Sequence, residues 1–541
     1  MKNYSSISQY VRLFSNIVLS SSLCLCSQLP LAIARAEPHQ TEDLHQGTLS
    51  SENLDGPYSL AFRNKLRPLI LQKDQFLERS LIPQGAIPLS LQESQQAAFR
   101  NNPSLQKVIL DLLAARDTLT AAQRSWNPTV SATSGPLPEY RYSSAYSGDN
   151  NIISSKSTKK TETQSNIQSA DVQISAVWRF LDFSRQPNIN SAQAAYYSQE
   201  YLYLAFSRKL LSDIESTYFS LLASDSLIRS YSSIVDSLIQ NAYAIDARFS
   251  AGRVSLLDVG QIYARLFESL NQLVVYIDDY YASSSRLSAL LSLPDNVLII
   301  PTGANSFYGK WDLSLSESLD SAIKNNENIK QSLENANVNR WGGISLLNSA
   351  LPSLYIKTGG AWLSRNSNDI SSAYAGGSYN TVTRSQWNTN TDFFAFLGFQ
   401  WNLYQGGVNN AKASSQFNTA LSFESQAKAQ MDTLIEEVRT SYSSILSNQI
   451  RYESSSAAIM SARVAYDAAI ARFGAGLTDV TTVNQAIDLY QSAIRSQAES
   501  VRQYNTSLSR LYKATAIWPP NTSQLADLEF IRRVSSPISI K

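Results

Sequence analysis

The 541-residue chain contains the same unit twice. Residues 89–105 and 313–329 are identical at eight of seventeen positions, and they lie 224 residues apart. The same spacing relates the segment Ala-Arg-Phe-Ser-Ala-Gly at 247–252 to Ala-Arg-Phe-Gly-Ala-Gly at 471–476. One spacing that persists over this length indicates two duplicated domains rather than a solenoid of short repeats. We therefore expect a first repeat over 89–300, a linker over 301–312 and a second repeat over 313–518.

The segment before the repeats has the features of an export signal. Lys2 and Arg12 give it a positively charged start, and an apolar stretch interrupted by serines follows. It ends at 34–36 in Ala-Arg-Ala, which matches an A-x-A cleavage pattern. The alternative, an anchor that stays attached, requires a longer apolar run. We predict a signal peptide over 1–36, an N-terminal extension over 37–88 and a C-terminal tail over 519–541.

The composition disfavours an enzyme. The two cysteines and two histidines all lie within the first 45 residues, so most of the chain lacks the ligands of a zinc site and a histidine-activated nucleophile. The sequence contains no G-x-S-x-G, P-loop or G-x-G-x-x-G motif. Lys plus Arg (45) nearly cancels Asp plus Glu (44), which disfavours nucleic acid as a partner. We expect no catalytic residues, no bound metal and no cofactor.

Each repeat is predicted to begin with a helix and to end with a long helical hairpin. The first helices are expected over 89–125 and 313–348, because Pro128 and Pro352 follow them. The segments 188–251 and 408–473 contain neither Gly nor Pro, and a helix of this length spans about 90 Å. Returning helices are predicted over 256–293 and 480–518, which places the hairpin tips near Gly252 and Gly476.

Between these helices the hydrophobic period falls to two residues. Apolar side chains occupy the even positions of 170–180 and the odd positions of 393–403, which is typical of strands with one apolar face. We predict two strands in each repeat, over 128–142, 169–181, 352–363 and 392–404, joined by polar loops over 140–169 and 364–391. The side chains predicted to face lipid are Val172, Ile174, Trp178, Phe180, Phe393, Leu397, Phe399 and Trp401.

Four such strands cannot satisfy their backbone groups alone. The sequence has no run of about 18 apolar residues after the predicted signal, so any membrane contact is expected through the strands. An open sheet in lipid leaves edge N–H and C=O groups unpaired, and membrane barrels begin at about eight strands. We therefore expect several chains to share one barrel, and a pore favours three or more.

The order of elements, given twice after a predicted signal, resembles the TolC-like outer membrane efflux proteins of Gram-negative bacteria. Local strings are also similar, namely Trp-Asn-Leu-Tyr-Gln-Gly-Gly at 401–407 and the Arg-Phe-x-Ala-Gly segments at 248–252 and 472–476. The resemblance implies a mixed α/β membrane protein: a homotrimer with one twelve-stranded outer membrane barrel and a helical tunnel that extends into the periplasm.

The resemblance also implies a function without catalysis. Family members are exit ducts of tripartite efflux pumps or type I secretion systems, in which a periplasmic adaptor docks at the hairpin tips. An inner-membrane transporter of the RND, ABC or MFS type supplies the energy. The docking residues implied here are Arg248, Phe249, Ala251, Gly252, Arg253, Arg472, Phe473, Ala475, Gly476 and Leu477.

The entrance of the duct is expected to close differently from that of some relatives. In those relatives, a carboxylate on the first hairpin tip pairs with an arginine and a tyrosine on the second tip, and rings of aspartates line the mouth of the duct. Asp258 matches the carboxylate, but Phe473 and Thr478 occupy the partner positions. The resulting candidates for gate residues are Asp258, Asp479, Thr482, Gln485 and Asp488, with Arg253 as a possible cationic partner.

An alternative function is an exported structural coiled coil or adhesin without channel activity. It accounts for the long helices, but it leaves the apolar faces of the predicted strands exposed to water. The sequence does not identify the exported substrate.

Overall fold

The computed structural model describes residues 61–69, 86–149, 159–293, 297–375 and 378–526. The predicted signal peptide lies outside these residues, as do most of the N-terminal extension and the end of the C-terminal tail.

The two repeats share one order of elements, except that two short strands in the first repeat stand where the second has one long strand. The first repeat consists of α2 (Leu91–Asn101), α3 (Pro103–Arg124), β2 (Thr129–Ser134), β3 (Glu139–Asp149), β4 (Lys159–Leu181), α4 (Arg185–Ser250) and α5 (Leu256–Leu291). The second consists of α6 (Leu315–Asn325), α7 (Glu327–Asn348), β6 (Ser353–Ala375), β7 (Ser378–Gln400), α8 (Val408–Gly474) and α9 (Val480–Ala514). Outside these lie α1 (61–69), the paired parallel strands β1 (Ile87–Leu89) and β5 (Ile299–Pro301), and a final 3₁₀ turn (Ser523–Ala526).

The prediction of a single helix at the start of each repeat is wrong. Each repeat begins with two helices that are divided at an asparagine. Asn102 Oδ1 accepts a hydrogen bond from the Leu105 amide (3.0 Å), so Asn102 ends α2 and caps α3. Its amide nitrogen also donates to the Leu290 carbonyl near the end of α5 (2.9 Å). Asn326, 224 residues later, caps α7 and donates to Ala514 in the same way (3.4 Å). The break therefore ties the short helices of each repeat to its returning helix.

Strands β2, β3, β4, β6 and β7 form one antiparallel sheet. Strands β2 and β3 both pair with β4, β4 pairs with β6, and β6 pairs with β7. The duplicated halves therefore meet at β4 and β6, where Lys160 lies opposite Tyr374 and Trp178 opposite Ile356. Within the described part of the chain, the outer edges of β7 and of β2 with β3 have no partner strand.

Strands β4, β6 and β7 are longer than predicted, and the expected polar loops are largely wrong. The single strand predicted over 128–142 is also wrong, because Pro136 and Pro138 lie between β2 and β3. Strand β4 begins at Lys159, and β6 and β7 extend to Ala375 and from Ser378. The added halves are rich in Ser, Thr and Asn, so they lack the alternation of apolar side chains that indicates a strand with one face in oil. Strand β7 also ends at Gln400, so Trp401 lies just beyond the strand predicted to reach 404.

Helix α8 carries a seven-residue pattern of burial. In α8 the buried positions recur at this step over nearly the whole helix: Ala413, Ala420, Ala427, Leu434, Ser441, Asn448, Ser455, Ala462 and Ala469. A seven-residue repeat sustained over many turns imposes a left-handed supercoil. Most of these side chains are small, so neighbouring helices can approach α8 closely. Helix α4 has 66 residues and α8 has 67, which gives each a length of about 100 Å.

A carboxyl group is buried where the first repeat meets the second. Glu215 of α4 is only 3% exposed and borders a cavity of about 180 Å³. Its Oε1 accepts a hydrogen bond from Gln95 Nε2 (3.0 Å), and Ser509 of α9 lines the same cavity. Burial raises the pKa of Glu215 from 4.5 to about 7, because the charged form loses its hydration.

We predict that this group makes the protein less stable as the pH rises. Below pH 4.5 the carboxyl is protonated in both states. Between pH 4.5 and about 7, Glu215 is ionised in the unfolded chain but still protonated in the folded one. The free energy of unfolding therefore falls by about 3 kcal/mol over this range. The glutamine of Glu215→Gln is neutral at every pH. The melting temperature of this variant, followed by circular dichroism, should therefore lack this part of the pH dependence. The exposed Glu453→Gln is the control, and an unchanged slope in Glu215→Gln would contradict the prediction.

Candidate functional site

One face of the sheet carries a continuous apolar band. The register places Ile174 opposite Gly360, which lies opposite Phe393, and Trp178 opposite Ile356, which lies opposite Leu397. Most of the side chains predicted to face lipid are exposed on this face: Val172, Ile174, Trp178, Phe393, Leu397 and Phe399, with Phe180 half-buried. Phe393 reaches 86% exposure. A contiguous apolar surface of this kind marks a membrane or protein contact.

The band has about the length that a membrane-spanning strand needs. It runs over 172–180 on β4 and 391–399 on β7, and a tilted strand of about 9–11 residues crosses the hydrocarbon layer. The indole groups of Trp178 and Trp401 lie at equivalent positions in the two repeats, near the end of the band that precedes the long helices. Trp178 Nε1 donates to the Trp126 carbonyl (2.9 Å), and Trp401 Nε1 donates to the Ala350 carbonyl (3.0 Å). Tryptophan is favoured where an apolar layer meets water, because its ring is apolar and its N–H is polar.

The two hairpin tips are built identically. Gly252 and Gly476 adopt φ values of +66° and +74°, which glycine tolerates without strain. The Arg253 amide donates to the Arg248 carbonyl (2.9 Å), and the Leu477 amide donates to the Arg472 carbonyl (2.9 Å). These bonds are the six-residue closure of a Schellman motif, so each glycine ends its helix and reverses the chain.

Arg248 joins the two tips. Its guanidinium donates to the carbonyl oxygens of Phe473 (2.6 Å) and Gly474 (2.9 Å), and its Cζ lies 4.7 Å from the centroid of the Phe473 ring. Of the predicted docking residues, Arg248 and Phe473 therefore contact each other, and Phe249 is half-buried. The others form the exposed surface of the tips: Ala251, Gly252, Arg253, Arg472, Ala475, Gly476 and Leu477.

The predicted gate residues have local roles at the starts of the returning helices. Asp258 accepts hydrogen bonds from the backbone N–H and hydroxyl of Ser255 (2.9 and 2.7 Å). Asp479 accepts from the Thr482 hydroxyl and amide (2.6 and 2.9 Å), and these bonds lower the pKa of Asp479. Gln485 is exposed. No ion pair joins Arg253 to either carboxylate within the described residues, and the role of this set in gating stays a prediction.

Asp488 is the gate candidate that reaches across the hairpins. It forms an ion pair with Arg265 of α5, whose side chain is 10% exposed. The same guanidinium donates to Gln491 Oε1 (2.6 Å), and Gln491 Nε2 donates to Ser269 Oγ (2.9 Å). This polar layer ties the first hairpin to the second. Arg265 escaped the sequence analysis because nothing in its neighbourhood along the chain indicates a partner 223 residues away.

A second polar contact holds α1 against the first hairpin. Arg63 Nε donates to Asp246 Oδ2 (2.9 Å), which also accepts from the Tyr263 hydroxyl (2.7 Å). Asp246 is fully buried, Leu66 is 1% exposed, and the rings of Phe62 and Tyr263 stack at 5.1 Å. Burial, together with Asp246, raises the pKa of Tyr263, which keeps its proton available for this bond.

A difference between the two repeats indicates this contact. The positions equivalent to Asp246 and Tyr263 in the second repeat are Ile470 and Ile487. A polar pair that replaces an apolar pair at one of two otherwise similar sites indicates a specific polar partner, because unpaired buried charge is costly.

Within the described residues, no cluster of three or more His, Cys, Asp or Glu side chains could hold a metal ion. None of the described helices combines the length and apolar character that crossing a membrane requires.

Comparison with known proteins gives concordant results. The family described as outer membrane efflux protein matches residues 95–292 and 359–516, one segment in each repeat. Outer membrane protein TolC of Escherichia coli (strain K12) is 22% identical over 470 residues, which cover 83% of this chain and 86% of TolC.

Solved structures share the fold. The CmeC outer membrane channel of Campylobacter jejuni has a TM-score of 0.58 and 16% identity, with 79% of this chain and 85% of CmeC covered. The open state of the MtrE outer membrane channel of Neisseria gonorrhoeae has a TM-score of 0.57 and 14% identity, with 79% and 89% covered.

The contact of α1 gives a testable prediction. Arg63→Ala leaves the buried Asp246 carboxylate with the Tyr263 hydroxyl but without its cation, which weakens the docking of α1 by about 3 kcal/mol. We expect faster amide hydrogen exchange over 61–69. Arg67→Ala, on the exposed side of the same helix, is the matched control. Equal protection in both variants would show that the ion pair does not hold α1.

Proposed function

The chain belongs to the outer membrane efflux protein family, and from this premise we propose that it is the outer-membrane duct of a tripartite export system. It is an outer membrane protein that extends into the periplasm, and the family resemblance drawn from the sequence is confirmed. In our proposal it opens a passive path and catalyses no reaction, while an adaptor and an inner-membrane transporter of the RND, ABC or MFS type move the substrate. Both tripartite efflux and type I secretion fit this role.

The apolar band carries the proposal. It faces outward on a sheet whose two outer edges, in the described residues, have no partner strand. Lipid covers an apolar face at low cost, but it cannot pair backbone groups. Further copies of the chain can pair them, since β7 of one copy can lie beside β2 and β3 of the next. Three copies with four strand positions each give a closed barrel of twelve strands, wide enough for a pore.

The tips are the proposed docking surface for the adaptor. Two leucines, Leu257 and Leu477, are each 69% exposed beside the glycine turns. Exposed leucines at the far end of a helix of about 100 Å are costly in water unless a partner covers them. We therefore assign docking to the exposed tip residues rather than to Arg248 and Phe473, which already contact each other.

The polar layer around Arg265 is the proposed restraint on the entrance. It links α5 of the first hairpin to α9 of the second through Asp488 and Gln491. Hairpins that separate at the tips would widen the mouth of the tunnel, and separation requires that this ion pair break. The ion pair is largely buried on the arginine side, so it is stronger than a pair on the open surface.

The duct function predicts conductance that depends on the band. Purified protein in a planar lipid bilayer should pass ions. Leu397→Lys places a charge in the hydrocarbon layer at a cost of about 2–4 kcal/mol for each copy, so we expect a large loss of insertion and of conductance. Gln400→Lys, three residues further on the opposite face, should behave as the unmodified protein. A soluble, non-conducting protein would contradict the proposed function.

The restraint at the entrance predicts a larger conductance once it is removed. Asp488→Asn removes the charged partner of Arg265 on α9, while Arg265 keeps its ion pair with Glu268 of its own helix. The second hairpin should therefore separate more readily, and single-channel conductance should rise. Asp467→Asn removes a carboxylate of an exposed pair on α8 and serves as the control. If both variants conduct alike, the ion pair does not restrain the entrance.

A further inference from the structure

Three strands of the sheet continue far beyond the apolar band. Trp362 of β6 lies opposite Val172 at the border of the band, and β6 runs on to Ala375. The segment 362–375 covers about 40 Å. These polar halves lie at the end of the sheet away from the long helices, which follow β4 and β7. In the proposed duct the helices lie in the periplasm, so the polar halves project from the outer surface of the membrane.

The register aligns aromatic and amide side chains across these polar halves. Residues directly opposite each other share one face of a sheet. Gln168 and Val172 are separated by an even number of positions on β4, so the side chain of Gln168 projects from the same face as the apolar band. Two rows of paired residues, the outer rows, cross this face: Tyr140, Gln168, Asn366 and Trp387 in the first, and Tyr142, Asn166, Asn368 and Ser385 in the second.

The outer rows are exposed and uncharged. All of their aromatic and amide side chains are exposed, and Trp387 reaches 78%. The charged residues of the segments 140–144, 364–370 and 383–387 alternate with the outer rows and so project from the opposite face: Arg141, Arg365, Asp369 and Arg384. A phosphate group outside the barrel would therefore meet no cation in the outer rows. Their side chains suit a neutral partner.

A girdle of aromatic residues at the membrane border does not account for the outer rows. Trp362 has the place of a girdle residue, because it lies at the border of the band. Tyr142 lies opposite Asn166, which is about 20 Å along β4 from Val172. At this distance the side chains have passed the acyl chains, and they face the groups that the outer-leaflet lipids carry.

We propose that the outer rows bind the sugar chains of the glycolipid in the outer leaflet. One face of a pyranose ring consists of C–H groups and packs on the rings of tyrosine and tryptophan, which combine an apolar body with a polar edge. Sugar hydroxyls donate and accept hydrogen bonds, and so do the carboxamides of Asn and Gln. Continuity with the apolar band identifies this occupant, because a lipid whose acyl chains cover the band holds its sugars against the outer rows. The inference rests on the proposed function, since it requires the band to lie in the membrane.

Retention of lipopolysaccharide tests the inference. The protein is purified with rough lipopolysaccharide, which carries core sugars, or with a deep-rough form whose core is truncated. The glycolipid that stays bound after gel filtration is then measured. The unmodified protein should retain severalfold more of the rough form. The triple variant Tyr140→Ala, Tyr142→Ala, Trp387→Ala should retain both forms alike. High salt should leave the preference of the unmodified protein in place, because contacts with neutral sugars are not screened.

Two matched variants serve as controls. Tyr404→Ala removes an aromatic ring that is 88% exposed beyond the other end of β7. Arg384→Gln removes a cation from the face opposite to the outer rows. Both should retain the rough form as the unmodified protein does. Trp387→Ala alone should lose part of the preference, which keeps the test decisive if the triple variant does not assemble.

Conductance separates this inference from the proposed function. The triple variant should pass ions as the unmodified protein does, because the outer rows lie outside the barrel. Equal retention of both forms by the unmodified protein, or an unchanged preference in a conducting triple variant, would overturn the inference alone. Loss of the preference in Arg384→Gln or at high salt would do the same, since it would indicate binding of phosphate. An unmodified protein that passes no ions would overturn the proposed function.

Discussion

Backbone hydrogen bonding in lipid is the constraint on which the rest of this structure depends. The sheet has an apolar face of about the length of a membrane-spanning strand, and its outer edges carry peptide groups without a partner strand among the described residues. Water would satisfy these groups, but hydrocarbon does not, and each unpaired group costs several kcal/mol. A single chain therefore cannot place its apolar face in a membrane. The proposed barrel meets this constraint, because further copies of the chain complete the sheet.

Duplication makes that completion possible with one kind of chain. The join of β4 with β6 inside the chain is a template for a join of β7 with β2 and β3 of the next copy. The repeats differ where a unique contact is needed. Asp246 and Arg265 have apolar equivalents, and both serve interactions that occur once in each chain.

The sequence was informative where one local pattern dominates. Long segments without Gly or Pro indicated the hairpins, and alternation in 170–180 and 393–403 located the apolar halves of the strands. The polar halves of the strands were missed, because serine and threonine pair in a ladder without an apolar face to mark them. The helix breaks at Asn102 and Asn326 were missed because each asparagine is held by a returning helix far along the chain. Contacts of Arg63 and Arg265 depend on tertiary structure in the same way.

Disulfide formation between the outer strands tests the central claim most directly. Ser165 pairs with Asp369 across β4 and β6, and duplication places Asn388 of β7 near Ser147 of a neighbouring β3. In a chain with Cys24→Ser and Cys26→Ser, Asn388→Cys is combined in turn with a cysteine at each position over 143–147. The account predicts that one combination gives covalently linked trimers on a denaturing gel. A folded protein in lipid that forms no link between chains at any of these positions would contradict it.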